Sequence, residues 1–350
     1  MRKSIVVTIS VVIIVSAITG VVLLGAYENN DTLKIKIHLP VNSYFYTTGI
    51  FTFKNETMLY LGANVRPNVD EENNSYGIFY ITAIQNRYSI EGKDWKEILR
   101  VNGKIDRIKE YSYGDSAYFS IILSNLTSLI VKMNENLQVD KIWYTHKLEI
   151  YSMLISNGYF YLFGKNGSSA ELVKTKNLGN FTEIYKIKNV VFIFNSYLFA
   201  LNNEIYLAYG VAISNISNGE GALLKISGTE YKEIVNTTNT WEVFAFSQNN
   251  KIFYYETLEK NINLFVINPF TDRIEGKYNI YWVPFYHNNG ITIAVGKDIL
   301  YSENGIKFKP VCSRDGMSFD INSPDQIAII NHELYVLLFN GQSVMVKCRI

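Results

Sequence analysis

Asn157-Gly158-Tyr159-Phe160-Tyr161 is the stretch that decides the fold: a polar turn followed at once by a short aromatic strand. The unit recurs downstream as Asn202-Asn203-Glu204-Ile205-Tyr206, Asn249-Asn250-Lys251-Ile252-Phe253, Asn289-Gly290-Ile291-Thr292-Ile293 and Asn331-His332-Glu333-Leu334-Tyr335. Upstream it reads Gly114-Asp115-Ser116-Ala117-Tyr118 and Asn74-Ser75-Tyr76-Gly77-Ile78-Phe79-Tyr80. The strand markers Tyr80, Tyr118, Tyr161, Tyr206, Phe253, Ile293 and Tyr335 stand 38 to 47 residues apart. A sustained period of that length is one four-stranded propeller blade. Seven markers predict an all-β, seven-bladed β-propeller, with six or eight blades as alternatives. A pair of β-sandwiches does not explain the period. Aromatics at 14% with charged residues at only 19% suit sheets whose side chains pack across strands.

A second landmark sits within most units: a turn glycine, an aromatic three residues on, and an aliphatic three beyond it. Gly92-Trp95-Ile98, Gly228-Tyr231-Ile234 and Gly305-Phe308-Val311 keep that spacing, and Gly179-Phe181-Ile184 is one residue tighter. The glycine allows the positive φ of a hairpin, and the other two anchor the next strand between blades. Ser89-Ile90-Glu91-Gly92-Lys93-Asp94-Trp95 and Ser302-Glu303-Asn304-Gly305-Ile306-Lys307-Phe308 resemble the Asp-box (BNR) hairpin of propeller proteins such as sialidases and sortilin-like receptors. Both copies depart from Ser-x-Asp-x-Gly-x-x-Trp, being one residue short and without the box aspartate. The resemblance covers two hairpins and implies the fold, not an activity.

The last marker leaves residues 336–350, one or two strands. Leu33, Ile35, Ile37 and Leu39 alternate with Lys34, Lys36 and His38, the pattern of a half-buried strand. That N-terminal strand is expected to complete the last blade and hide its edge. The two cysteines, Cys312 and Cys348, are then placed to staple the seam between the last two blades; two buried thiols are the alternative.

Arg2 and Lys3 precede an apolar run from Ile5 to Ala26, followed by Glu28 and Asp31. About 20 apolar residues span a bilayer, and the cations before the run keep its start cytoplasmic. The expected organisation is a cytoplasmic stub 1–4, a signal-anchor helix 5–26, a linker 27–32 and an extracellular propeller 33–350. Cleavage of a signal peptide, or of a pilin-type leader before the run, are the alternatives. Eight Asn-x-Ser/Thr sequons agree with export: Asn30, Asn55, Asn73, Asn125, Asn166, Asn180, Asn215 and Asn236. None follows Asn236, so the last third of the surface is left as a candidate contact face. The sequon density and the Ile/Asn/Tyr bias also resemble cell-surface proteins of thermoacidophilic archaea.

A net charge of +1 with no basic block beyond Arg2-Lys3 argues against a nucleic-acid partner. The four histidines, His38, His146, His287 and His332, fall in different units without ligand spacing, so no metal or other cofactor is expected. No nucleophile elbow or phosphate-binding loop appears. Asp115, Glu149, Glu242 and Glu256 are candidate acids for glycoside hydrolysis, which needs two carboxylates facing one another. The expected function is a membrane-anchored platform that binds a protein or glycan partner, without catalysis. A carbohydrate-active enzyme and a subunit of a surface layer or filament are the alternatives.

Overall fold

The computed structural model describes residues 32–350 except 42–44, 55, 66–74, 85–88, 147, 216–218, 259–260, 289, 296–297, 313–326, 331 and 340–342. The signal-anchor segment and sequons Asn30, Asn55 and Asn73 therefore lie outside the described residues. No helix among the described residues is long and apolar enough to cross a membrane.

Tight turns set the architecture. Asn157-Gly158, Asn202-Asn203 and Asn249-Asn250 each place two consecutive residues at φ between 51° and 73°. That is the geometry of a type I′ hairpin, which matches strand twist and favours Asn and Gly. Each such turn joins the first and second strands of a blade. The result is seven antiparallel sheets arranged as seven blades. Blade 1 holds Phe45–Phe53, Glu56–Val65, Tyr76–Ala83 and Lys96–Asn102; blade 2 holds Ile105–Tyr113, Ser116–Leu123, Ser128–Met133 and Val139–Thr145. Blade 3 holds Glu149–Ser156, Tyr159–Asn166, Ser169–Thr175 and Thr182–Lys188. Blade 4 holds Val190–Leu201, Glu204–Ile213, Gly219–Ser227 and Glu230–Thr238. Blade 5 holds Glu242–Gln248, Lys251–Thr257, Ile262–Asn268 and Arg273–Ile280. Blade 6 holds Val283–Asn288, Ile291–Val295, Ile299–Ser302 and Lys309–Cys312.

Blade 7 is assembled from both ends of the chain. Its first three strands are Ile327–Ile330, Glu333–Phe339 and Ser343–Arg349, and the fourth is Thr32–Ile37. Thr32 pairs with Cys348 and Lys36 with Val344, antiparallel, while Ile35 and Ile37 are buried against blade 1. The predicted closing strand is therefore present, and it ends at Ile37. A short fifth strand, Ser89–Ile90, covers its outer edge in parallel. Cys312 on the outer strand of blade 6 is bonded to Cys348 on blade 7, with Cα atoms 6.3 Å apart. The staple thus closes the ring beside the strand that closes the sheet.

The core is a set of apolar clusters, most of them seams between neighbouring blades. Phe51, Tyr60 and Phe79 from blade 1 meet Phe119 from blade 2, with Phe51 and Phe119 edge to face at 5.2 Å. Such pairs add about 1 kcal/mol beyond the area they bury. The aromatics of the strand markers are core: Tyr80, Tyr118, Tyr161, Tyr206, Phe253 and Tyr335 are all buried.

Three details depart from the sequence reading. Tyr80 lies on the third strand of blade 1, whereas the other six markers lie on second strands. The turn before blade 1's second strand begins at Lys54, and the resembling Asn74-Ser75 pair comes before the third strand in sequence. Gly92 does not adopt positive φ and forms a single 3-10 turn, Gly92–Asp94. A Cβ there would stand 2.9 Å from the Leu39 carbonyl oxygen, so close approach of the closing segment requires the glycine. Tyr231 is 47% exposed and stacks edge-on against Tyr185 at 4.6 Å, outside the seam it was expected to fill.

Candidate functional site: the central channel and the rim of blade 5

The strand before each tight turn is the innermost of its blade, so seven such strands enclose a central channel. Its cavity is about 370 Å³ and takes residues from all seven blades. On blade 6, Tyr286, His287 and Asn288 turn into it. His287 stacks on Phe246 of blade 5, with ring centroids 3.7 Å apart and planes 10° from parallel. Its Nδ1 meets Thr292 Oγ1 at 3.0 Å. Burial among these neighbours lowers the imidazole to about 4, so it is neutral at pH 7. Asn288 Nδ2 donates to the Tyr286 hydroxyl at 3.0 Å, and burial raises that phenol. Across the channel, Ser112 Oγ donates to Glu110 Oε1 at 2.5 Å, and Ser196 Oγ donates to Ser152 Oγ at 3.0 Å. The lining mixes apolar and polar side chains and both signs of charge, Lys109 and Glu110, and the Ser152 and Ser196 hydroxyls satisfy one another.

Where the inner strands begin, a second group of polar side chains gathers. Tyr151 donates its hydroxyl to Glu149 Oε1 at 3.0 Å, and the Arg107 guanidinium sits 4.5 Å over the Tyr151 ring. Burial, and secondarily the Glu149 charge, raise the carboxyl of Asp106. Glu242, first residue of blade 5's inner strand, is raised by desolvation alone. Of the four candidate acids, Glu149 and Glu242 therefore share one end of the channel but stand two blades apart. Asp115 lies on the exposed turn of blade 2, and buried Glu256 accepts from Asn263 Nδ2 at 2.8 Å. The carboxylate that Glu149 does meet, Asp106, had no motif to single it out. Among the described residues no group of three or more His, Cys, Asp or Glu side chains is placed to hold a metal. His38, His146 and His332 lie at exposed positions, with His146 Nδ1 3.0 Å from Thr127 Oγ1.

The surface is most apolar on blade 5. Between Phe270 and Trp282, Phe270 is 70% exposed and Tyr281 90%, and Ile274, Tyr278 and Trp282 are exposed as well. Ile274 and Tyr278 stand on the outer strand, whose far edge has no partner strand among the described residues. Five exposed large apolar side chains within thirteen residues are the densest such run among the described residues. The run falls in the third of the chain that holds no sequon. The five sequons within the described residues, Asn125, Asn166, Asn180, Asn215 and Asn236, are all exposed, on blades 2, 3 and 4.

No family model matches the sequence, and no curated protein matches it. Solved structures do. The β-propeller domain of the Trilobed protease from Pyrococcus furiosus aligns with a TM-score of 0.52 at 10% identity, over 88% of this chain and 94% of that one. Oligogalacturonate lyase from Vibrio parahaemolyticus aligns with a TM-score of 0.51 at 8% identity, over 88% and 98%. What is shared is the propeller. At such identity these likenesses carry the fold and no activity.

Proposed function

We propose that this chain is a membrane-anchored extracellular propeller that binds a partner protein through the rim of blade 5. The observation that carries the reading is the exposed run Phe270–Trp282, with its five apolar side chains on a sequon-free part of the ring. Aromatic side chains of this kind dominate binding energy at interfaces. A protein is favoured over a glycan because the same outer strand offers unpaired backbone groups, to which an extended segment can add. The apolar run 5–26 with cations before it supports the anchor, and the eight sequons support the exported side.

The test uses the full chain in lipid nanodiscs, probed against immobilised surface proteins of the cells that make it and against a glycan array. Wild type is expected to bind the surface proteins, and Tyr281→Ala with Trp282→Ala to bind at least tenfold more weakly at unchanged melting temperature. Binding to the glycan array alone would move the partner class from protein to carbohydrate. A second reading, a carbohydrate-active enzyme, draws on Asp106 and Glu149 at the channel end, where burial and then the Glu149 charge raise the Asp106 carboxyl. Hydrolysis of chromogenic glycosides that disappears in Asp106→Asn and Glu149→Gln would establish it.

A further inference from the structure

Blade 3 carries two sequons, and the structure uses their asparagines differently. Asn166 ends the second strand, and its side-chain amide turns inward. Nδ2 donates to both oxygens of Glu171, at 3.3 and 3.1 Å. The Glu171 side chain is only 9% exposed, and its one other partner among the described residues is Lys186 Nζ at 2.6 Å. A buried carboxylate needs such donors, because an unmet charge costs far more than a neutral group. Asn180 lies in the turn before the outer strand. Its backbone N–H donates to Asn177 Oδ1 at 3.4 Å, while its side-chain amide has no partner among the described residues. Both asparagines border one cleft of about 270 Å³, walled by Leu148, Val173 and Phe181 with Glu171 at its base. Asn180 is exposed, and a sugar on its side-chain amide displaces no hydrogen bond among the described residues.

We propose that Asn180 is the glycan acceptor of blade 3 and that Asn166 is a structural asparagine that stays unmodified. The inference rests on the exported reading of the chain. In the transfer, Asn180 Nδ2 forms a bond to C1 of an oligosaccharide activated as a lipid-linked phosphate ester. The C1–O bond breaks, the phosphate leaves with the electron pair, and Nδ2 gives up one proton. At Asn166 the same substitution takes one of the two Nδ2 hydrogens and sets a sugar ring beside the amide that holds Glu171.

Peptide mass spectrometry of the native protein reads both sites at once. Asn180 is expected to be occupied, with occupancy at Asn166 at least tenfold lower. In protein made without the glycosylation machinery, Asn166→Ala is expected to lower the melting temperature by about 2 °C or more, and Asn180→Ala to leave it unchanged. Equal occupancy at the two sites, or glycans elsewhere in the chain with none on Asn180, overturns the inference and leaves the exported reading standing. Bare asparagines at all eight sequons overturn the exported reading and the acceptor role together. The Asn166→Ala melting temperature then decides the structural role alone, and an unchanged value overturns it.

Discussion

Blades 3 and 5 share a scaffold and differ at the rim. Each is four antiparallel strands begun by a type I′ hairpin, Asn157-Gly158 in one and Asn249-Asn250 in the other. Each buries aromatics against its neighbours, Phe163 on Tyr209 in one seam and Tyr197 on Phe244 in another. Their outer strands then diverge. Blade 3 holds Lys186 against Glu171 and carries two sequons, whereas blade 5 bares Ile274 and Tyr278 between Phe270 and Trp282 and carries none. The inner three strands answer to packing on both faces. The outer strand answers to packing on one side only, and there the sequence is free to specify contacts.

The largest expected effect bears on the shared scaffold. Replacing both cysteines, Cys312→Ala with Cys348→Ala, removes a cross-link spanning 36 residues, worth about 4 kcal/mol by loop entropy. Because the ring is one closed body, amide exchange is expected to rise together in blades 3 and 5. Faster exchange in one blade alone would show that the two are not held by a common closure.

Acid is expected to separate the blades next. An unfolded histidine binds its proton near pH 6.5, and His287 in the folded channel does so only near 4. Between those values the unfolded chain holds more protons, so the stabilisation present above pH 6.5 is lost as pH falls toward 4. The full loss is about 3 kcal/mol. Denaturation across this window is expected to lose most of its pH dependence in His287→Gln. Exchange should quicken first where Phe246 stacks on His287, in blade 5, before blade 3 responds.

The smallest effects test the hairpins. Gly158 sits at φ 73°, so Gly158→Ala is expected to cost about 1 kcal/mol in blade 3. Asn250, at φ 56°, is expected to accept glycine within a few tenths of a kcal/mol in blade 5. Chemical denaturation midpoints measure both, and a larger loss at Asn250 than at Gly158 would contradict the turn assignment.

These differences also explain what the sequence discloses. The hairpins repeat because the positive φ at each turn demands Asn or Gly, so the seven-bladed ring and its closing strand were legible. The first marker slipped to Tyr80 because ten residues, 66–75, separate blade 1's second and third strands, the longest such interval of any blade. The rim was legible only as a sequon-free third, since Ile274 and Tyr278 alternate as core residues do and nothing local marks them as bare. His287 carried no signal, because the ring it stacks on, Phe246, comes from another blade. The inward turn of the Asn166 amide was equally hidden, since Glu171 is buried by neighbours on other strands. Asp106 and Glu149 meet only through adjacent inner strands, a relation no spacing rule expresses.

The contrast between the two rims is tested most directly by photo-cross-linking in the cells that make the protein, with a photoreactive side chain at Tyr281, just past blade 5's outer strand, or at Glu183 of blade 3. The account predicts a discrete protein adduct from Tyr281 and none from Glu183. Equal adducts from both positions, or an adduct from Glu183 alone, would contradict it.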